Sequence, residues 1–184
     1  MPDMNTATEA TPYVIDASHS SVEFSVRHLV FAKVRGQFRV LSGSLSVGPD
    51  GIPTQVAVEI HADSVDTREE QRDNHLRSAD FLDAATYPTL TFASSQIEKK
   101  SDTTFTVVGD LTLHGSTNRV ELAGTLEGRG ADPWGNDRIA YSATTKIDRR
   151  TFGLTWSQSL EAGGLVVGNE VEIELNVQAI PAKG

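Results

Sequence analysis

The sequence contains no cysteine among its 184 residues, so disulfide bridges and thiolate chemistry are both excluded. It also lacks an excess of basic residues, since 25 Asp and Glu outnumber 16 Lys and Arg and give a formal net charge of −9. Such a chain repels the phosphates of nucleic acid unless it carries a strong basic patch, and none stands out. The charge balance therefore argues against nucleic acid, and we predict no nucleic-acid partner.

The motifs of common catalytic sites are missing as well. The sequence has no Gly-x-Ser-x-Gly elbow and no phosphate-binding loop, and no pair of acidic residues is singled out by its spacing. No apolar run is long enough for a transmembrane segment, and residues 1–10 have neither the basic nor the apolar region of a secretory signal. We therefore predict a disordered tail over residues 1–11 and a cytoplasmic protein.

What the sequence does contain is alternation of apolar and polar residues with a period of two. Such alternation predicts strands with one wet face, which excludes a doubly wound parallel sheet. Val22, Phe24, Val26 and His28 share one face of such a strand, and Phe38 and Val40 begin another after Gly36. The pattern is interrupted by a predicted loop over residues 128–135 and by a glycine-rich loop near Gly163 and Gly164. About eight antiparallel strands with hairpin-length connections fit one domain over residues 12–181. A closed barrel and a two-sheet sandwich both satisfy this pattern. We favour the all-β antiparallel barrel, because closure removes sheet edges and about eight strands leave room for one small ligand.

One stretch, about residues 68–84, interrupts the strands and reads as helix. Thr67 and Glu70 have the spacing of a capping box, which predicts a helix beginning at Thr67. Ser78 is placed to begin a second helical turn, and the residue before Pro88 must return to extended backbone. We expect two short helical turns that cover the mouth of the sheet structure.

Several strings of the sequence resemble the YceI-like family, also called polyisoprenoid-binding or lipid-binding YceI-like proteins. The most characteristic is Arg-Asp-Asn-His-Leu-Arg-Ser-Ala-Asp-Phe-Leu-Asp over residues 72–83. Others follow the same order along most of the chain, at residues 13–16, 18–20, 22–29, 34–38, 64–67, 87–92, 109–115, 147–149, 152–153 and 167–171. Each string alone is weak, but together they make a strong match.

This resemblance implies a lipocalin-like antiparallel barrel with a long apolar interior, in a bacterial protein. It also implies non-enzymatic binding, transport or storage of a long-chain isoprenoid lipid, such as a polyprenyl chain or a quinone-type amphiphile. No cofactor is implied beyond the bound lipid itself, and the family leans towards a homodimer. Many members carry a secretory signal; this sequence departs from them, which puts a periplasmic role in doubt.

The candidate ligand-binding residues are apolar side chains on the inward faces of strands, on the helical insertion and in the string that ends at Gly153. Their rings and branched chains are expected to line a tunnel, although each of them also fits a plain hydrophobic core. They are Phe24, Val26, Phe38, Val58, Leu76, Phe81, Phe92, Phe105, Tyr141 and Phe152.

Three polar residues complete the candidate site: His28, His75 and Arg149. His28 shares a strand face with Val26, so it is either a hydrogen-bonded core histidine or a contact for a headgroup. Arg149, like Arg72 and Arg77, fits either an anionic headgroup or a solvated surface. Trp134 and Trp156 lie in or beside loops, where each ring fits either the edge of the mouth or simple packing, and we favour packing.

An alternative function keeps the barrel but makes it a small enzyme acting on an apolar substrate. Its acid–base or metal group would be His28, Asp73 and His75, which must then converge at a cavity. A metal pair is unconvincing, because residues two apart do not share a helix face. No metal is therefore predicted.

Overall fold

The computed structural model describes residues 10–157 and 166–183. Within these ranges the chain forms eleven β-strands and one α-helix, α1. The strands are Thr11–Ile15 (β1), Ser21–His28 (β2), Ala32–Phe38 (β3), Leu41–Val47 (β4), Pro53–His61 (β5), Val65–Asp66 (β6), Thr89–Lys99 (β7), Thr104–Leu113 (β8), Ser116–Ala131 (β9), Asp137–Asp148 (β10) and Val167–Pro181 (β11), and α1 is Glu70–Arg77. The predicted tail falls mostly outside the described residues, although Thr11 already opens β1.

Eight of these strands form a closed antiparallel ring, which confirms the predicted barrel. The ring runs β1–β4–β5–β7–β8–β9–β10–β11 and closes where β11 pairs with β1. Each closing pair is antiparallel, with Val14 opposite Ile180 on one side and Ser44 on the other. The ring has no free edge at this point, so the alternating strands can turn one face inward along their whole length.

Three strands leave the ring as a flap. β11 is long enough to pair twice: its last residues pair with β1, and its earlier residues pair with β2, where Val171 lies opposite Val26. A short turn over residues 16–20 separates β1 from β2, and the Asp16 carboxylate accepts from the Ser18 amide within it. β3 then pairs with β2 and β6 with β3, and α1 packs beside β6. We call β2, β3, β6 and α1 the flap.

The end of the barrel away from the flap is sealed by large side chains. Tyr13, Val47 and Ile139 are each at most 2% exposed. The Tyr141 hydroxyl donates to the Gly51 carbonyl oxygen at 2.6 Å, and the Tyr141 ring packs edge-to-face on Phe105. This is the closed end of the barrel, and the end that the flap borders is the open end.

The helix begins later than the capping-box prediction placed it. Its N-cap is Glu69, whose carboxylate accepts from the backbone amides of Gln71 and Arg72. Thr67 is engaged elsewhere, because its amide and hydroxyl both donate to Asp73 and its hydroxyl oxygen accepts from Arg72. The prediction that Thr67 caps the helix is therefore wrong.

Ser78 ends this helix and opens the predicted turn, since its hydroxyl oxygen accepts from the Asp80 amide at 3.4 Å and its carbonyl oxygen accepts from the Phe81 amide at 3.0 Å. The prediction that this turn is helical is wrong. The Ser78 hydroxyl donates to the His75 carbonyl oxygen at 2.6 Å, which satisfies one of the free carbonyls at the helix C-terminus. The chain then continues in turns, with Asp83 in the left-handed region at φ 48°. The insertion is thus one helix followed by turns.

Two strand boundaries also differ from the sequence pattern. Phe38 is the last residue of β3, not the first of a new strand, and Val40 lies in the turn before β4. β9 runs on to Ala131, so the predicted loop over residues 128–135 shrinks to the hairpin connection after it. The glycine-rich loop predicted near Gly163 and Gly164 lies outside the described residues.

Candidate functional site

The barrel encloses a cavity of about 650 Å³ that opens beside the flap. Its volume lies within the usual range of about 300–1,000 Å³ for ligand pockets. The inward faces of both the ring and the flap contribute its wall, and these faces are almost entirely apolar. Five strands each have three or more residues in the wall. They give Val22, Phe24, Val26, Arg27 and His28 on β2, Pro53, Val56, Val58 and Ile60 on β5, Phe105, Val107, Leu111 and Leu113 on β8, Tyr141, Ser142, Ala143, Thr145 and Ile147 on β10, and Val167, Val171, Ile173, Leu175 and Val177 on β11.

Nearly all of the residues predicted for the site lie in this wall. The structure brings together Phe24, Val26, His28, Phe38, Val58, His75, Leu76, Phe81, Phe92, Phe105, Tyr141 and Arg149. The exception is Phe152, which is 1% exposed and packs in the core under a 3-10 turn after β10. Strand parity placed the residues on strands, and the helical insertion supplied His75, Leu76 and Phe81. Arg149 and Phe152 came from family strings, and only Arg149 of these two lines the cavity.

The wall differs in packing along its length. Phe105 and Tyr141 near the closed end are 4% and 6% exposed, whereas Phe24 and Phe38 on the flap are only half-buried. The two flap rings contact each other with centroids 5.5 Å apart. A Cβ at Gly36 would lie 2.4 Å from Phe24 Cζ, so glycine is required there for the ring to lie across β3.

Three aromatic rings meet at the opening of the cavity. His75 on α1 contacts Phe81 and Trp156 edge-on, with centroids 5.0 and 4.8 Å apart, and Phe81 and Trp156 are 5.2 Å apart. All three line the cavity. Trp156 was left out of the predicted site because it lies outside any strand and simple packing was favoured. The structure instead places it at the edge of the mouth, which was the alternative.

The groups of the alternative enzyme do not converge. His75 Nε2 lies 2.9 Å from the Asp80 carboxylate, whereas Asp73 is held by Thr67 and lies outside the cavity wall. His28 is half-buried in the wall and makes no side-chain hydrogen bond to the part of the chain that the structure describes. No group of three or more His, Asp or Glu side chains suited to a metal ion occurs within residues 10–157 and 166–183. The geometry therefore gives the enzyme hypothesis no support.

Arg149 is neither solvated nor free for a headgroup. It is 3% exposed, and its guanidinium donates to the carbonyl oxygens of Leu154, Trp156 and Gly168 at 2.7–2.8 Å. Burial lowers the pKa of this guanidinium, since its hydrogen-bond partners are carbonyl dipoles rather than carboxylates. Arg149 thus holds the chain segments on either side of the opening, and it forms part of the wall.

Arg72 and Arg77 serve the insertion in the same way. Arg72 Nη2 donates to the Thr67 carbonyl oxygen at 2.8 Å, and Arg77 Nε donates to the Asp63 carbonyl oxygen at 2.8 Å. Both cations thereby fix α1 to the chain that leads into it. What the site offers a ligand is consequently an apolar interior with a polar rim.

The chain belongs to the YceI-like family, whose domain matches residues 13–179. A UPF0312 protein of Vibrio cholerae is 36% identical over 177 residues, which cover 95% of this chain and 89% of that protein. A UPF0312 protein of Yersinia enterocolitica is also 36% identical over 177 residues, covering 95% and 88%.

Solved structures share the barrel. The YCEI protein of Campylobacter jejuni is 27% identical with a TM-score of 0.75, covering 85% of this chain and 90% of that one. Burkholderia cenocepacia BcnA superposes with a TM-score of 0.77 at 22% identity, covering 89% and 98%. A polyisoprenoid binding domain from Saccharophagus degradans superposes with a TM-score of 0.66 at 18% identity, covering 92% and 98%.

Across the described ranges, no helix combines the length and the apolar composition that crossing a membrane would require.

Proposed function

We propose that the protein binds, carries or stores a long-chain isoprenoid lipid in the barrel interior, without catalysing a reaction on it. The observation that carries this proposal is the continuous apolar cavity of about 650 Å³. The YceI-like family and the neighbour named as a polyisoprenoid binding domain support the same class of ligand. A long unbranched or prenyl chain matches a wall of this composition better than a compact polar metabolite does.

The size of the cavity sets how much of a chain it encloses. A group the size of water takes about 30 Å³, so the cavity holds on the order of 20 heavy atoms, or about four prenyl units. Removing about 20 methylene-sized groups from water is worth up to about 16 kcal/mol, against about 4–15 kcal/mol for association and ordering. Affinity should therefore depend on every enclosed carbon and only weakly on the headgroup.

Several polar side chains of the rim are engaged in contacts within the described part of the chain. The histidine at the opening pairs with Asp80, and the arginines hold backbone carbonyls. These contacts support a role in shaping the entrance. A lipid lying in the cavity would pass the three rings of His75, Phe81 and Trp156.

The direct test is solvent extraction and mass spectrometry of the full chain purified from a bacterial host, followed by titration with prenyl alcohols of increasing length. We expect a co-purified isoprenoid lipid, and a dissociation constant that falls with chain length and levels off near about 20 carbons. A protein that carries no lipid and binds none of the series would overturn the proposal.

Two variants on one strand provide the matched control. Ala143 lines the cavity and Thr144, the next residue, is exposed on the other face. Ala143→Phe should block the interior and abolish retention of the lipid, whereas Thr144→Phe should retain it. His75→Ala should change retention far less than Ala143→Phe. Loss of a catalysed turnover on His75→Ala would favour the enzyme instead.

A further inference from the structure

The tip of the hairpin between β2 and β3 is apolar, exposed and unfavourable for folding. Phe31 is 83% exposed and Val30 is 50% exposed. Leu29 and Val30 lie in the left-handed region at φ 53° and 72°. Hairpin turns usually place Gly, Asn or Asp at such positions, because β-branched and bulky side chains are strained there. Neither packing nor turn geometry accounts for this Leu-Val-Phe sequence.

This tip lies at the opening of the cavity. The residues that lead into it, Arg27 and His28, line the cavity wall. The Leu29 amide donates to the Val166 carbonyl oxygen at 3.0 Å, and Val166 also lines the cavity. A surface that touched the tip would therefore lie directly against the entrance.

The chain around the tip is basic, in contrast to the protein as a whole. Residues 24–49 contain Arg27, Lys33, Arg35 and Arg39 and no Asp or Glu, although the net charge of the chain is −9. Among residues 10–157 and 166–183, two carboxylates from outside the segment reach it: Glu172 lies 3.4 Å from Lys33, and Asp66 pairs with Arg39. Within the part of the chain that the structure describes, the segment keeps an excess of positive charge after these pairs are counted.

The other aromatic side chain of comparable exposure has different surroundings. Trp134 is 81% exposed in the hairpin between β9 and β10, at the closed end of the barrel. Its hairpin carries Asp132 and Asp137 together with Arg129 and Arg138, and Arg138 pairs with Asp132. Exposed rings thus occur at both ends, but the hairpin at the closed end has balanced charges, whereas the one at the opening has an excess of positive charge.

We propose that the β2–β3 hairpin tip docks the protein on the surface of an anionic phospholipid bilayer. Val30 and Phe31 enter the interfacial region, and the side chains of Lys33 and Arg35 meet lipid phosphates. Aromatic rings favour that depth, and each cation near an anionic leaflet adds to the attraction. Only the purpose of this docking rests on the proposed function: a docked protein would present its open end to a lipid that leaves the bilayer.

The test is flotation of the full chain with vesicles of phosphatidylcholine alone or with about 30% phosphatidylglycerol, at about 50 and about 500 mM salt. We expect the wild type to float with the anionic vesicles at low salt and much less at high salt. Phe31→Ser should lower binding about tenfold, and Lys33→Gln with Arg35→Gln should abolish the preference for anionic vesicles. The matched control Trp134→Ser should bind as the wild type does.

Three outcomes would overturn the docking proposal. They are no binding to anionic vesicles at low salt, equal losses for Phe31→Ser and Trp134→Ser, or a wild-type dimer on size-exclusion chromatography that Phe31→Ser converts to a monomer. Lipid content measured on the same samples keeps the two proposals apart. If Phe31→Ser protein keeps its co-purified lipid but no longer floats, the substitution has removed docking without affecting the cavity. If the wild type floats but contains no lipid, docking is supported and the cavity proposal fails. Circular dichroism checks that the exposed substitutions leave the fold intact.

Discussion

The two ends of the barrel are built from similar residues and packed to different extents. At the closed end Tyr13, Ile139 and Val47 are at most 2% exposed, and a tyrosine hydroxyl satisfies a buried carbonyl. At the open end Phe24 and Phe38 remain half-buried, and a separate flap carries them. The apolar rings at the open end therefore contribute less packing energy than those at the closed end. A ligand in the cavity could supply the contacts that these rings lack.

The largest effect expected from this comparison is at the closed end. Phe105→Ala removes a ring that is 4% exposed and packed on Tyr141, so it should lower the free energy of unfolding by about 3–5 kcal/mol. Phe24→Ala, the partner variant at the open end, should cost less than about 1.5 kcal/mol, because its ring already faces the cavity. Urea unfolding of lipid-free protein measures both. Equal losses would show that the two ends are packed alike.

An intermediate effect is expected at the border of the opening. Arg149→Met leaves the carbonyls of Leu154, Trp156 and Gly168 without their donor, which should cost about 2–3 kcal/mol. The control is Arg150→Met, since Arg150 is exposed and pairs only with Asp148 among the residues that the structure describes, and its removal should change the unfolding curve little. If both variants unfold alike, Arg149 does not hold the opening together.

The smallest effect concerns the junction between ring and flap. Asp16 there accepts hydrogen bonds from Arg138, Ser18 and His19, and the Arg138 bond above all holds the pKa of the Asp16 carboxyl well below its usual range. As the pH falls, the Asp16 carboxylate is therefore protonated first in the unfolded chain, near pH 4. The stabilisation that Asp16 gives the folded state is present above that pH and is lost as the pH falls towards the pKa of Asp16 in the folded protein.

Asp16→Asn should accordingly lower the free energy of unfolding by about 1–2 kcal/mol at neutral pH and flatten its decline below about pH 4. Denaturant titrations between about pH 3 and about pH 7 test this. Asp102→Asn removes the same charge from a fully exposed position and serves as the control. If the free energy of unfolding of Asp16→Asn declines with falling pH as that of the wild type does, the acid sensitivity comes from other carboxylates.

The barrel and most of its lining followed from the sequence, because period-two alternation encodes which face of a strand is buried. Val22, Phe24, Val26 and His28 all line the cavity as their spacing predicted. The family strings added the fold type where alternation alone left a sandwich open.

What the sequence did not provide depends on side-chain contacts that leave no periodic pattern. Thr67 has the spacing of a helix cap, but its hydroxyl is engaged by Asp73 and Arg72. Trp156 lies in no periodic segment, and the Arg149 guanidinium donates to its carbonyl oxygen at the opening. The flap itself could not be foreseen, since nothing in β11 indicates that it pairs with two strands.

The closure of the ring also has a consequence for biosynthesis. Tyr13, in the first strand, pairs with Pro181, in the last, so the ring joins two segments separated by nearly the whole domain. On a ribosome the wall of the cavity stays incomplete until β11 has emerged, and such long-range pairing forms slowly. A nascent chain thus exposes the apolar faces of its strands as an open sheet for most of its synthesis, and the cavity is enclosed only at the final step.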